Sequence, residues 1–170
     1  MVITKIEAQK KKGRYNIYLN DAFAFGVDEA TVVKYALFKG TELTKEQIEE
    51  IQHDDCIQQA YQKALHFLNF KLRSTKEVYE KLEKLEFDED IINEVLGKLH
   101  EQNFINDTFY AESYLNQAKF VTFKGPKSVI FDLQKKGISD KVIQTVLEGY
   151  TLREQLENAI QIAQSYLKGQ

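Results

Sequence analysis

The sequence predicts a mainly α protein: tandem three-helix repeats in an elongated array, preceded by a small three-stranded antiparallel β unit with a short helix. Three observations carry this expectation. Apolar and polar residues alternate only near the N-terminus, capping signals recur before short segments of helical period, and two of those segments resemble each other at offsets of 47 to 51 residues.

From Val2 to Gln9 the alternation puts Val2, Thr4, Ile6 and Ala8 on one face and Ile3, Lys5, Glu7 and Gln9 on the other. A turn at Lys11-Lys12-Gly13 leads to a second strand with Tyr15, Ile17 and Leu19 inward, and Asn20-Asp21 turns into a third apolar row of Phe23, Phe25 and Val27. Asp28 can cap a short helix holding Val32, Val33, Ala36 and Leu37, which ends near Gly40 and covers one sheet face. Residues 1–43 thus form the β-rich extension.

Thr44 to Gln47, Ser74 to Glu77 and Thr151 to Glu154 each fit the capping box, in which a hydroxyl and a Glu or Gln three residues on satisfy free amides reciprocally. Further caps are expected at Asp54 or Asp55, Asp88, Asp107 and Ser139. The apolar residues between them fall at helical spacing: Ala60, Ala64, Leu65 and Leu68, then Val78, Leu82 and Leu85, then Ile91, Ile92, Val95, Leu96 and Leu99.

Ala64 to Leu68 recurs as Ala111 to Leu115 and, more faintly, as Ala159 to Ala163. Val78, Leu82, Ile92, Val95 and Leu96 correspond to Val129, Leu133, Ile143, Val146 and Leu147, so the second copy carries four extra residues between its first two helices. The expected units are 54–104 and 105–150, with 151–170 the first helix of an unfinished third. Because tandem units bury apolar faces against their neighbours, the natural protein is expected to continue past Gln170.

Composition narrows the function classes. With 43% hydrophobic and 29% charged residues the chain has enough apolar area for a core, and no apolar run is long enough to span a bilayer. Met1 to Lys5 lacks the layout of a signal peptide, and the single cysteine, Cys56, excludes an internal disulfide; a cytoplasmic protein is expected. The net charge of -3 hides basic stretches alternating with acidic ones, with six basic residues against two acidic over 113–141. Only Arg14, Arg73 and Arg153 are arginines, which disfavours sequence-specific DNA reading more than it disfavours phosphate contact through lysine.

Leu72-Arg73-Ser74, Phe104-Ile105-Asn106-Asp107, Gly125-Pro126-Lys127 and Lys135-Lys136-Gly137-Ile138, each with its spaced apolar and aromatic partners, resemble motifs of the RecX regulatory proteins, which modulate the bacterial RecA recombinase. Leu72-Arg73-Ser74 with Glu77, Val78 and Leu82 matches the family's first-repeat pattern. Leu99, Phe104-Ile105-Asn106-Asp107, Tyr110-Ala111 and Tyr114 match the link between repeats, and Gly125-Pro126-Lys127, Leu133 and Lys135-Lys136-Gly137-Ile138 complete the set. Asn106 stands where the family has aspartate, Tyr110 where it has phenylalanine, and no arginine follows Tyr114. The resemblance implies a protein without catalysis or cofactor that lies along the groove of a RecA filament on single-stranded DNA and limits filament growth, ATP hydrolysis and strand exchange. Its partners would be that filament and single- or double-stranded DNA, with no membrane and no small-molecule substrate. A general nucleic-acid-binding protein, using the three-helix units as helix-turn-helix modules, is the alternative.

Three basic groups are candidate contacts for such partners. Lys10, Lys11, Lys12 and Arg14 surround the first turn, as a solvated loop or a phosphate contact. Lys71, Arg73 and Lys76 cluster where two helices meet, where Arg73 equally suits a structural bond to a carbonyl or carboxylate. Lys119, Lys124, Lys127, Lys135 and Lys136 interleave with Phe120 and Phe123, either a grip on single-stranded DNA or a core with a charged rim. His53 and Cys56 have no matching pair for zinc, His66 reads as interior or boundary and His100 as surface, and Asp88, Glu89 and Asp90 are helix-start carboxylates. No phosphate-binding glycine loop, nucleophile elbow or metalloprotease motif occurs.

Overall fold

The computed structural model describes residues 1–169, and the chain divides into two compact units, Met1–Gln62 and the residues from Lys63 onward. Gln170, the end of the expected third repeat, lies outside the described residues.

In the first unit β1 (Ile3–Ala8), β2 (Arg14–Leu19) and β3 (Ala22–Asp28) form an antiparallel sheet in that order. Asn20 and Asp21 both have left-handed backbones (φ 48° and 67°), as a two-residue hairpin turn with the twist of its strands requires. The core comprises Ile3, Ile17, Leu19, Phe25, Val27, Leu37, Leu43 and Ile51. Helix α1 (Glu29–Lys34) begins as expected, with the Asp28 carboxylate accepting from the Thr31 amide. It stops before Ala36, whose φ of 48° breaks the helix and turns Leu37 into the core.

Two strand assignments change. Register irregularities lie between Ile3 and Lys5 and between Ile17 and Tyr18. Since one residue of slip exchanges the faces of a strand, Ile3 is buried while Lys5 and Glu7, expected on its face, are exposed, and Phe23, expected in the apolar row, pairs with Tyr18 outside, 60% exposed. The two rings meet edge to face at 5.9 Å.

Helix α2 (Lys45–Leu68) opens with the expected box, Thr44 and Gln47 exchanging side-chain and amide bonds. It then runs unbroken past Asp54 and Asp55, which therefore cap nothing. Asp54 accepts instead from the Tyr35 hydroxyl and pairs with Lys34, while Asp55 is buried against the sheet unit.

The second unit holds α3 (Thr75–Lys84), α4 (Glu89–Glu101), α5 (Asp107–Gln117), α6 (Pro126–Lys135), α7 (Asp140–Leu147) and α8 (Leu152–Lys168). The Ser74–Glu77 and Thr151–Glu154 boxes are complete, and Ser139 caps α7. Asp88 makes no capping bond, and α5 is capped by Asn106 rather than Asp107. The repeat is visible in burial: Ala64, Val78, Leu82, Ile92 and Val95 are enclosed, and so are Ala111, Val129, Leu133, Ile143 and Val146. In α8 the corresponding Ala159 is exposed.

The four extra residues of the second copy also have a place. They lie where α5 widens into a π-helical segment, Ala118–Thr122, ended by Phe123 at φ 53°. Equivalent helix ends match as well. Phe87 donates to the Leu82 carbonyl around the left-handed Glu86, and Ile138 donates to Leu133 around the left-handed Gly137.

Candidate interaction surface

The first basic group separates on inspection. Lys10, Lys11 and Lys12 are exposed on the β1–β2 turn. Arg14 turns away and forks onto the Asp55 carboxylate at 3.1–3.2 Å, with side-chain exposures of 15% and 4% for the pair. Its guanidinium is a structural cation, since planar bidentate geometry suits an enclosed carboxylate.

The second and third groups meet at one junction. Glu77, in the first turn of α3, accepts from the Ser74 amide at 3.0 Å and from Lys136 Nζ at 2.7 Å. Lys76 reaches the Lys135 carbonyl at 3.3 Å, and Asp107 accepts from both the amide and hydroxyl of Thr75. Arg73 lies with its guanidinium 4.0 Å from the Phe67 ring centre and 3.8 Å from Glu77, and its Nε is buried without a hydrogen-bond partner. Clusters some sixty residues apart in sequence thus hold the first three-helix segment against the second. Burial would raise the Glu77 carboxyl, but the Lys136 and Ser74 hydrogen bonds and the nearby Arg73 outweigh it and hold the group below its ordinary 4.5.

This fixes the sign of a pH effect. A carboxyl with a lowered folded-state pKa adds stability above its unfolded value, and that stability is lost as pH falls through the folded value. Urea midpoints of wild type and Glu77→Gln should differ most at neutral pH and converge as pH falls below 4.5 through the lowered folded-state value.

Lys119 and Lys124 are also engaged. Lys119, 10% exposed, bonds Glu154 and the Gly149 carbonyl beneath α8. Lys124 pairs with Asp132 at 2.6 Å and with the Tyr114 hydroxyl, which itself donates to Asp132. Phe123 is half-buried, whereas Phe120 is exposed. Lys127 and Lys135 remain on the outer stripe of α6 with exposed Phe131 between them, and Lys135 Nζ lies 4.6 Å from that ring's centre. His66 is exposed and packs edge-on against Phe70, contrary to its interior or boundary expectation.

Lys71 is exposed in the α2–α3 loop and opens onto a cleft of about 450 Å³ shared with Leu72, Tyr110, Ser113, Tyr114 and Lys136. The two tyrosines escaped the reading of basic runs. The usable signal was their spacing of four on α5, which stacks them on one helix face. Among the described residues no group of three His, Cys, Asp or Glu could hold a metal, and no helix is long and apolar enough to cross a membrane.

Comparison with known proteins places this arrangement. Residues 1–44 match the regulatory protein RecX N-terminal domain, and residues 60–99 match the RecX first three-helix domain. The crystal structure of a regulatory protein RecX superposes with a TM-score of 0.80 at 36% identity, covering 99% of this chain and 85% of that one. The chain belongs to the RecX family. RecX of Lactobacillus salivarius gives a TM-score of 0.63 at 39% identity over 66% of this chain and 73% of its own. Among curated relatives, RecX of Leuconostoc mesenteroides subsp. mesenteroides is 45% identical over 161 residues and that of Listeria welshimeri 38% over 169. These alignments cover 95% and 99% of this chain but 60% and 63% of the relatives, so the chain spans about three-fifths of their length. The matched RecX first three-helix domain takes in the end of α2, all of α3 and most of α4.

Proposed function

We propose that this chain is a negative regulator of the RecA recombinase. It binds along the groove of the RecA filament on single-stranded DNA in the cytoplasm and limits filament growth, ATP hydrolysis and strand exchange. The observation that carries the reading is kinship with RecX across nearly the whole chain, at 36% identity and a TM-score of 0.80. The units that would act are an extension at 1–43, three-helix repeats at 54–104 and 105–150, and the start of a third at 151–170.

Physical support comes from the junction. A helical lattice presents the same surface at every protomer, so a ligand made of similar units gains most when those units are held at a fixed spacing, and Glu77, Lys136, Thr75 and Asp107 hold them. The exposed Lys10, Lys11, Lys12, Lys127 and Lys135 supply charge for steering and register, while exposed Phe131 and Phe120 supply apolar area for affinity. The test is single-stranded-DNA-dependent ATP hydrolysis by the recombinase with this chain titrated in, and inhibition well below one chain per protomer is the expected result.

A further inference from the structure

We propose that the cleft between the α2–α3 loop and α5 is a subsite for single-stranded nucleic acid, with phosphates on Lys71 and Lys136 and a base against Tyr110 and Tyr114. This goes beyond the filament reading, because it assigns the chain a contact that needs no recombinase.

Charge and shape select the ligand. Lys71 and Lys136 stand on the cleft, and Lys124 bonds the hydroxyl of its Tyr114. The carboxylates beside them are Glu77, which bonds Lys136, and Asp132, which bonds Lys124 and Tyr114. Of the groups lining the cleft, Lys71 and Lys136 are cationic and none is a carboxylate, a local excess that suits a polyanion, and Lys71 pairs with nothing among the described residues. An acidic peptide would use the same charge but has no need of paired rings. Two half-buried tyrosines beside lysines give every base a stacking face, and Ser113 supplies a hydrogen-bonding hydroxyl. No arginine fork faces the cleft to read guanine, so binding tolerates any sequence. A space of about 450 Å³ admits an unstacked base but no duplex, which makes the single strand the preferred form.

The experiment is fluorescence anisotropy with a labelled oligothymidylate, the intact 170-residue chain and no recombinase. Lys71→Glu should weaken binding about tenfold and flatten the slope of log affinity against log salt by about 0.7 or more. Tyr110→Leu, which keeps an apolar side chain of similar reach, should weaken it about fivefold while leaving the salt slope unchanged. Lys98→Glu, on the exposed side of α4, makes the same charge change and should match wild type. Circular dichroism confirms that each variant is folded. Absence of binding by wild type, or equal affinity of the Lys71→Glu and Lys98→Glu proteins, overturns the assignment. So does displacement by duplex DNA as readily as by single strands, and so does a Lys71-dependent complex with oligoglutamate where the oligonucleotide gives none. Because the assay contains no recombinase, its failure leaves inhibition of filament ATP hydrolysis to be decided by its own titration.

Discussion

Replacing Gly137 with alanine should destabilise the helical unit by about 3 kcal/mol, far more than glycine-to-alanine changes at other left-handed positions. Gly137 has φ 74°, and its counterpart in the first repeat, Glu86, has φ 64°. Glu86 shows that a side chain is tolerated in this helix-ending conformation, at a cost of about 1–2 kcal/mol. What separates the two is the neighbour. A Cβ on Gly137 would meet Lys76 Cβ and Cδ at 2.7 Å, closer than carbon atoms approach, and Lys76 Cβ is fixed to the α3 backbone. The substitution therefore pushes α3 from the end of α6 and strains the Lys136–Glu77 bond beside it. Gly13 provides the control. Its φ is 79° but nothing lies within 4 Å of an added Cβ, so Gly13→Ala should cost only about 1 kcal/mol in urea unfolding. Equal losses at both positions would show that backbone conformation alone, and not the junction, requires glycine.

Asp55→Ala should cost the β unit about 3–5 kcal/mol, the range for stripping one partner from a buried ion pair. The Asp55 carboxylate is almost wholly enclosed and accepts from Arg14 through two nitrogens, from the Asp28 amide at 2.8 Å and from Gln59 at 2.7 Å. Truncation leaves a largely buried guanidinium and the amide at the head of α1 unsatisfied at once. Removing both charges is a different matter. The double variant Arg14→Leu/Asp55→Leu should lose markedly less than the sum of the single substitutions, because neither charge is then stranded. Additive losses in the cycle would mean that Arg14 and Asp55 act independently.

These two sites mark where the sequence was legible and where it was not. Local rules give the Asn20-Asp21 turn, the Asp28 cap and the three capping boxes, although Asp88 makes no capping bond and Asn106 takes the cap expected of Asp107. Asp54 and Asp55 looked like a helix start because an acidic pair is a good cap, yet the partner that decides Asp55 is Arg14, 41 positions away. Ile17, Leu19, Phe25 and Val27 face the core as alternation predicts, while Phe23 leaves its row at a register irregularity, which no alternation pattern reveals. The basic clusters were found as clusters, but which lysines are free depends on carboxylates up to 59 residues distant, as with Lys136 and Glu77. Tyr110 and Tyr114 stayed invisible as a surface because the cleft exists only once the α2–α3 loop lies against α5.

Titration into the recombinase's ATP hydrolysis on single-stranded DNA decides whether this chain regulates the filament, with Gly137→Ala run beside wild type at a temperature where both are folded. Wild type should inhibit at ratios well below one chain per protomer, even when free DNA is in excess, and potency should clearly fall when the junction is loosened. Undiminished hydrolysis at equimolar chain, or inhibition that disappears as soon as free DNA is added in excess, would contradict the proposed regulation.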